Sequence, residues 1–273
     1  MAINSLQRGI RRVAWDPIPL FGRDFIKSAL ATIVGRIGRR RPTVEVYGAR
    51  GAEANNARLQ AELQTVDVNL ATDLCRIMTR YGSDKGAGRH NYTTVYHRLL
   101  GNLREQPINL FELGIGTNNP NLASTMGEAG KPGASLRGWA EFFRSGRIFG
   151  ADIDEAILFS EDRIETFQCD QLRRNSIESM WAHPTLKREF DVVIEDGLHT
   201  FEANVSFLEN SLHKVRKGGY YIVEDVRADD LPRWRDQLQE HCSVWHSEFS
   251  FCIVSLPWLF NTSDNILLVA RRN

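Results

Sequence analysis

Three carboxylates and one imidazole stand out by their spacing. Asp196 closes the apolar run 191–196, Glu224 and Asp225 close the run 219–225, and His199 follows Asp196 by three residues. If the two runs are neighbouring strands, three acids meet at one sheet edge, where in a partly buried cleft they repel one another strongly. A divalent cation held by Asp196, Glu224 and Asp225 resolves that repulsion, and oxygen ligands alone favour magnesium over zinc. In the plainer alternative, Glu195 or Glu224 faces away to pair with an arginine, and Asp225 caps a helix. A lone loop histidine is more often a surface residue. Beside converging carboxylates, His199 becomes a candidate general base, because imidazole titrates near neutral pH. His90 and Tyr92, which follow Ser83-Asp84-Lys85, are placed to cover such a site.

A second constellation begins at Glu112-Leu113-Gly114-Ile115-Gly116. Gly114 and Gly116 let the backbone approach a ligand closely. The third glycine of a dinucleotide fingerprint is missing, and Asn118 to Pro120 stand where a pyrophosphate-binding helix would begin. That disfavours a nicotinamide cofactor. Glu112 beneath the loop would repel a pyrophosphate but suits a cationic ligand. Asp152 closes the next apolar run and can accept hydrogen bonds from ribose hydroxyls. Asp154 is the alternative for that role, or a helix N-cap. Asp170 and Gln171 follow a third run and could meet an adenine amino group, although Asp170 reads equally as a helix cap.

The elements that would position these residues alternate in type. Residues 1–50 are irregular, punctuated by Pro17, Pro19 and Pro42. Leu59, Leu63, Val66, Leu70, Leu74 and Ile77 recur at helical spacing over 52–80, and a short helix follows over 92–103. Strands are expected at 108–114, 147–153, 164–170, 191–196 and 219–225, with helices such as 201–215 and 231–241 between them. That alternation predicts an α/β, Rossmann-like, doubly wound sheet. The last two runs, 248–256 and 266–270, are joined by too little chain for a crossover helix, so they should pair antiparallel. The expectation is seven strands, mostly parallel, with a reversed C-terminal strand. A helical N-terminal extension (1–80) precedes the catalytic domain (81–273).

Composition bounds the rest. The chain has 273 residues, 42% hydrophobic and 25% charged, which fits a soluble protein with a sizeable core. Its formal net charge is zero, which gives no general argument for nucleic acid as partner. Residues 1–60 nevertheless carry eleven basic against four acidic side chains (+7), leaving −7 for the remainder (23 basic, 30 acidic). Such a run is most simply a solvated face; docking onto the acidic body, a second subunit or an anionic surface is the alternative. The stretch 25–34 reads as an amphipathic helix, packed or subunit-facing, and a homo-oligomer is expected. Cys75, Cys169, Cys242 and Cys252 lie far apart without a CxxC pair, which argues against a zinc module and for reduced thiols in a cytoplasm. No run approaches a transmembrane span, and no secretory signal is seen.

The glycine turn with Glu112, Asp152 and Asp170 at successive strand ends resembles the class I S-adenosylmethionine-dependent methyltransferases, over about residues 80–271. Within that class the chain is similar to the metal-dependent sugar O-methyltransferases of macrolide biosynthesis (the mycinamicin VI 2″-O-methyltransferase type). Tyr81-Gly-Ser-Asp-Lys-Gly86, the segment from Gly133 to Phe143 (GASLRGWAEFF), Asp196-Gly-Leu-His199 and Glu224-Asp225 carry that likeness. The short N-terminal region departs from it. The resemblance implies S-adenosylmethionine as cofactor, held by Glu112, Gly114, Gly116, Ser135, Asp152, Asp170 and Gln171. It also implies a sugar hydroxyl on a small molecule or glycan as acceptor, with Mg2+ on Asp196, Glu224 and Asp225 and with His199 and Asp196 catalytic. A catechol-type O-methyltransferase and a non-catalytic nucleotide-binding protein of the same fold are the competing readings.

Overall fold

The computed structural model describes residues 41–48, 52–86, 90–240, 245, 247–257 and 263–273. The stretch 25–34 and most of the basic N-terminal run lie outside those residues. One sheet organises the rest. In chain order its strands are β1 (Thr43–Tyr47), β2 (Asn109–Leu113), β3 (Arg147–Asp152), β4 (Ser160–Glu161), β5 (Ile164–Gln168), β6 (Phe190–Glu195), β7 (Val215–Val223), β8 (Phe249–Ser255) and β9 (Ile266–Arg272). The described helices are α1 (Glu53–Gln64), α2 (Asp73–Tyr81), α3 (Tyr92–Leu100), α4 (Ala134–Phe142), α5 (Arg174–Trp181), α6 (Phe201–Ser211) and α7 (Leu231–Glu240).

The strand order is β1-β8-β9-β7-β6-β2-β3-β5-β4. Strands β5, β3, β2, β6 and β7 run parallel, and β9 lies antiparallel between β7 and β8. The sheet therefore has nine strands and not seven. The two additions are β4, a short antiparallel edge against β5, and β1, which pairs antiparallel with β8. Prolines marked the first fifty residues as irregular, but Pro42 stands just ahead of β1, where a missing N–H is tolerated. The extension thus contributes a strand as well as helices. Arg235 of α7 pins β1 through a two-pronged ion pair with Glu45, at 2.6 and 2.8 Å.

The expected long helix over 52–80 is two helices. Asp67 accepts from the Asn69 N–H, and Thr72 caps α2 by accepting from Cys75 N, so local side chains close a turn in place of helix continuation. Leu70, counted in the helical periodicity, is 56% exposed, while Val66 and Val68 are buried in the turn.

Side chains alternate between two apolar layers, one on each side of the sheet. Leu110, Val192, Ile194 and Ile222 face α1 to α4, and Phe111, Val193, Tyr221 and Val223 face α5 to α7. Burial on both faces explains why these strands read as continuous apolar runs. Among the described residues no helix is long and apolar enough to cross a membrane. Phe111 centres the second layer, its ring 4.5 Å from Trp181, 5.9 Å from Phe190 and 6.3 Å from Phe207. Phe111→Ala should therefore lower the unfolding free energy by about 3–5 kcal/mol, read as a drop in denaturant midpoint.

Candidate active site

Four of the acidic residues singled out by the sequence lie at the carboxyl ends of three adjacent strands. Glu112 belongs to β2, Asp196 follows β6, and Glu224 and Asp225 follow β7. Ligands in open α/β sheets bind at such ends, where strand order reverses. Here the chain moves outward from β2 to β3 on one side and to β6 on the other.

Asp196, His199 and Asp225 come together. Each offers a ligand atom within 4.8 Å of the others. His199 Nδ1 is 3.0 Å from Asp225 Oδ2, and its Nε2 is 3.5 Å from Asp196 Oδ1. Both His199 (φ 58°) and Asp225 (φ 52°) hold left-handed backbone, one of the devices by which a site stores strain. His90, Asp225 and Asp264 form a second group of the same kind. The two carboxylates of the first trio suit a divalent cation, and His199 stands beside them.

Glu224 stands apart from that trio. Its Oε1 accepts from Tyr96 at 2.5 Å and its Oε2 faces Lys85 Nζ at 2.8 Å. The structure thus groups His199, and not Glu224, with Asp196 and Asp225. The reason is Lys85, which is 1% exposed and also reaches Asp196 Oδ2 at 2.6 Å and Glu112 Oε1 at 3.4 Å. Part of the charge balance that the sequence assigned to a metal ion is supplied by the chain itself. Tyr92, one turn before Tyr96 on α3, donates to Asp225 Oδ1 at 2.6 Å and stacks on His90.

The electrostatics follow from burial and these partners. Burial pushes Asp196 well up, against the pull of Lys85. Glu224 is likewise raised, to about 7, by burial and by its acidic neighbours Glu112 and Asp225. For Asp225, burial is outweighed by donors from His199 and Tyr92 and by the charge of His90, and its pKa falls to about 2. Burial works against charge on His199, but the hydrogen bond to Asp225 and the charge of Asp196 prevail, and it rises to about 10. Burial opposes the ammonium of Lys85 too, yet Asp196, Glu112 and Glu224 hold its pKa well above the usual value.

The expected cofactor residues divide into two sets. Gly114 and Gly116 both take φ 81°, and a Cβ at Gly114 would strike the Asp196 carbonyl, so glycine is required where the loop crosses the end of β6. Asp152 shapes the loop by accepting from Ile115 N (2.9 Å) and Asp154 N (3.1 Å). Asp154 caps the following turn at Ala156 N and accepts from Thr117. Ile153 and Leu172, 43% and 55% exposed, leave apolar surface beyond β3 and β5. Glu112, in contrast, accepts from Ser135 (2.6 Å) and Trp139 (2.5 Å) at 0% exposure, so Ser135 is directed at Glu112. Gln171 donates to Glu195 and accepts from Leu198 N, tying down the loop that carries His199. Asp170 accepts from Leu172 N in the turn before α5 and pairs with Arg173, but it does not cap α5, whose N-cap is Arg173.

Sequence reasoning missed Lys85 and Tyr96. Lys85 sits inside a motif that the sequence singled out, but nothing there indicates that it turns inward while Asp84 stays exposed. The spacing of Tyr92 and Tyr96 on one face of a short helix was the readable signal for the second.

Sheet order and site location define the methyltransferase fold, and solved relatives agree. The chain superposes on the MycE methyltransferase of the mycinamycin biosynthetic pathway, solved with Mg and SAH, with a TM-score of 0.54 and 25% identity over 81% of this chain and 62% of that one. Among curated proteins it is 36% identical over 160 residues to a tetracenomycin-C rhamnosyl 3'-O-methyltransferase of Streptomyces olivaceus (56% of this chain, 37% of that one). It is 33% identical over 194 residues to the L-olivosyl-oleandolide 3-O-methyltransferase of Streptomyces antibioticus (71% and 46%). It is also 34% identical over 174 residues to the mycinamicin VI 2″-O-methyltransferase of Micromonospora griseorubida (63% and 40%). The chain spans less than half the length of these curated relatives. No family model matches it.

The pKa shifts give a signed expectation for protein freed of divalent cations. His199, raised from 6.5 to about 10, stabilises the fold fully below pH 6.5 and loses that contribution as pH climbs to about 10. Glu224, raised from 4.5 to about 7, also favours the fold less as pH rises through that span. Asp225 acts oppositely and only in acid, losing its contribution as pH falls from 3.8 toward 2. Urea midpoints of the chelator-treated protein should therefore fall between pH 6.5 and 10, and fall less steeply in His199→Gln. Equal slopes in the two proteins would show that the imidazole is not charged by its neighbours.

Proposed function

We propose that this chain is an S-adenosylmethionine-dependent O-methyltransferase acting on a hydroxyl of a sugar carried by a small natural product, with a divalent cation at Asp196 and Asp225. One observation carries the reading. Asp196, His199 and Asp225 converge at the ends of β6 and β7, directly against the glycine loop that follows β2. A pure nucleotide binder needs the loop but not the trio. The names of the relatives, all O-methyltransferases, narrow the acceptor to sugar hydroxyls.

When bound, S-adenosylmethionine supplies a methyl group already activated on a sulfonium, and the cation lowers the pKa of a hydroxyl beside it. The chain has to hold the acceptor in line and remove its proton. The loop from Gly114 to Thr117, shaped by Asp152 and Asp154, lines the cofactor side, with Ile153 and Leu172 as apolar walls. His199, about one third exposed, is the side chain of the trio with most access to an incoming hydroxyl. Two carboxylates hold it protonated here, so its action as a base requires their charge to be balanced. Positioning of the two reactants supplies much of the remaining acceleration.

Incubation with S-adenosylmethionine, Mg2+ and a panel of glycosylated polyketides and catechols, read by mass spectrometry, tests the assignment. The expected result is a single added methyl group on a glycoside; methylation of catechols alone would select the competing acceptor class. His199→Ala should reduce turnover at neutral pH by about 10²- to 10⁴-fold while S-adenosylmethionine affinity stays unchanged. Turnover that survives exhaustive EDTA treatment would remove the cation from the proposal.

A further inference from the structure

Lys85 is a buried cation that this proposed function does not use. Its Nζ lies 2.6 Å from Asp196 Oδ2, 2.8 Å from Glu224 Oε2 and 3.4 Å from Glu112 Oε1. Those acids come from three neighbouring strands, so the ammonium spans the site from the foot of the glycine loop to the end of β7. It occupies only one flank of the cluster. Asp196 Oδ1 is turned toward His199, and Asp225 takes its donors from Tyr92 and His199, which leaves the opposite flank to the three-residue group.

We propose that Lys85 is a positioning residue acting as the resident cation of the site: it holds Asp196 and Glu224 assembled before a divalent cation arrives, so that folding does not depend on that cation. The inference rests on the cation reading above and adds to it the group that assembles the carboxylates. The competing account is a lysine that merely fills space. The two differ in one respect. Lys85→Met keeps the length of the side chain and removes its charge, leaving buried like charges that only protons or an added cation can balance. Folding and metal binding, already linked in a parent that binds a cation, then become linked more tightly, because the metal now supplies charge that the site lacks. Replacing a space-filling lysine would leave that linkage at the parent's strength.

The experiment uses the full chain, with Mn2+ as probe. Free Mn2+ is followed by electron paramagnetic resonance, and thermal unfolding is recorded in chelator and in excess Mn2+. The parent should bind Mn2+ and gain little in Tm. Lys85→Met should melt roughly ten degrees lower in chelator and gain about three times the parent's rise, or more, when Mn2+ is added. Lys85→Arg, which restores the charge, should recover most of the parent's behaviour. If Lys85→Met does not fold in chelator, the double variant Lys85→Met with Glu224→Gln, which removes one of the stranded acids, decides: folding in chelator supports the proposal, and failure to fold overturns it. A Lys85→Met protein with an unchanged Tm, or with a lowered Tm and only the parent's response to Mn2+, also overturns it. A parent that leaves free Mn2+ unchanged overturns the cation reading itself, and this inference with it.

Discussion

Buried negative charge is the constraint on which this molecule turns. Glu112, Glu195, Asp196, Glu224 and Asp225 are gathered at the ends of three adjacent strands, most of them with little or no exposure. Such a gathering is unstable unless each charge is paired, donated to or neutralised by a proton. The fold answers with several devices at once. Lys85 bridges three of the acids, Tyr92 and Tyr96 donate from one face of α3, and His199 sits between two carboxylates. Ser135 and Trp139 hold Glu112, and Gln171 holds Glu195.

These partners account for parts of the chain that look like ornament on a nucleotide fold. The long connection between β2 and β3 places α4 so that two of its residues, Ser135 and Trp139, meet Glu112. The segment 82–86 and α3 bring a lysine and two tyrosines over the ends of β6 and β7. Of the helices ahead of β2, α3 and the segment before it reach the candidate site. The apolar sides of those helices, including Leu59, Leu74, Tyr92 and Tyr96, belong to the same core layer as the strands.

Much of this was legible in the chain. Strands β2, β3, β5, β6 and β7 announce themselves as continuous apolar runs because both faces are covered, and their acidic ends mark the functional edge. What could not be read depends on direction and not on residue type. Periodicity alone cannot tell that Val66 to Thr72 break a helix, because Leu70 keeps the spacing while facing solvent. Nor can a motif show that Lys85 points inward, since that follows from three acids contributed by residues far apart in sequence. Glu112 and Gln171 were read toward a ligand, yet their hydrogen bonds go to protein partners. Acids at strand ends serve scaffolding and binding equally well.

Strand β1 has a bearing on how the chain can be divided. It covers the outer edge of β8, and Arg235 fastens it there through Glu45. A fragment begun at residue 81, the division expected from the sequence, would bare the β8 backbone from Phe251 to Ser255. It would also remove Leu59 and Leu63 from the apolar layer. Naked strands of that kind invite intermolecular pairing and aggregation. The smallest autonomous version of this enzyme-like body therefore starts ahead of residue 43, and engineering that trims or fuses at its front end has to respect that seam.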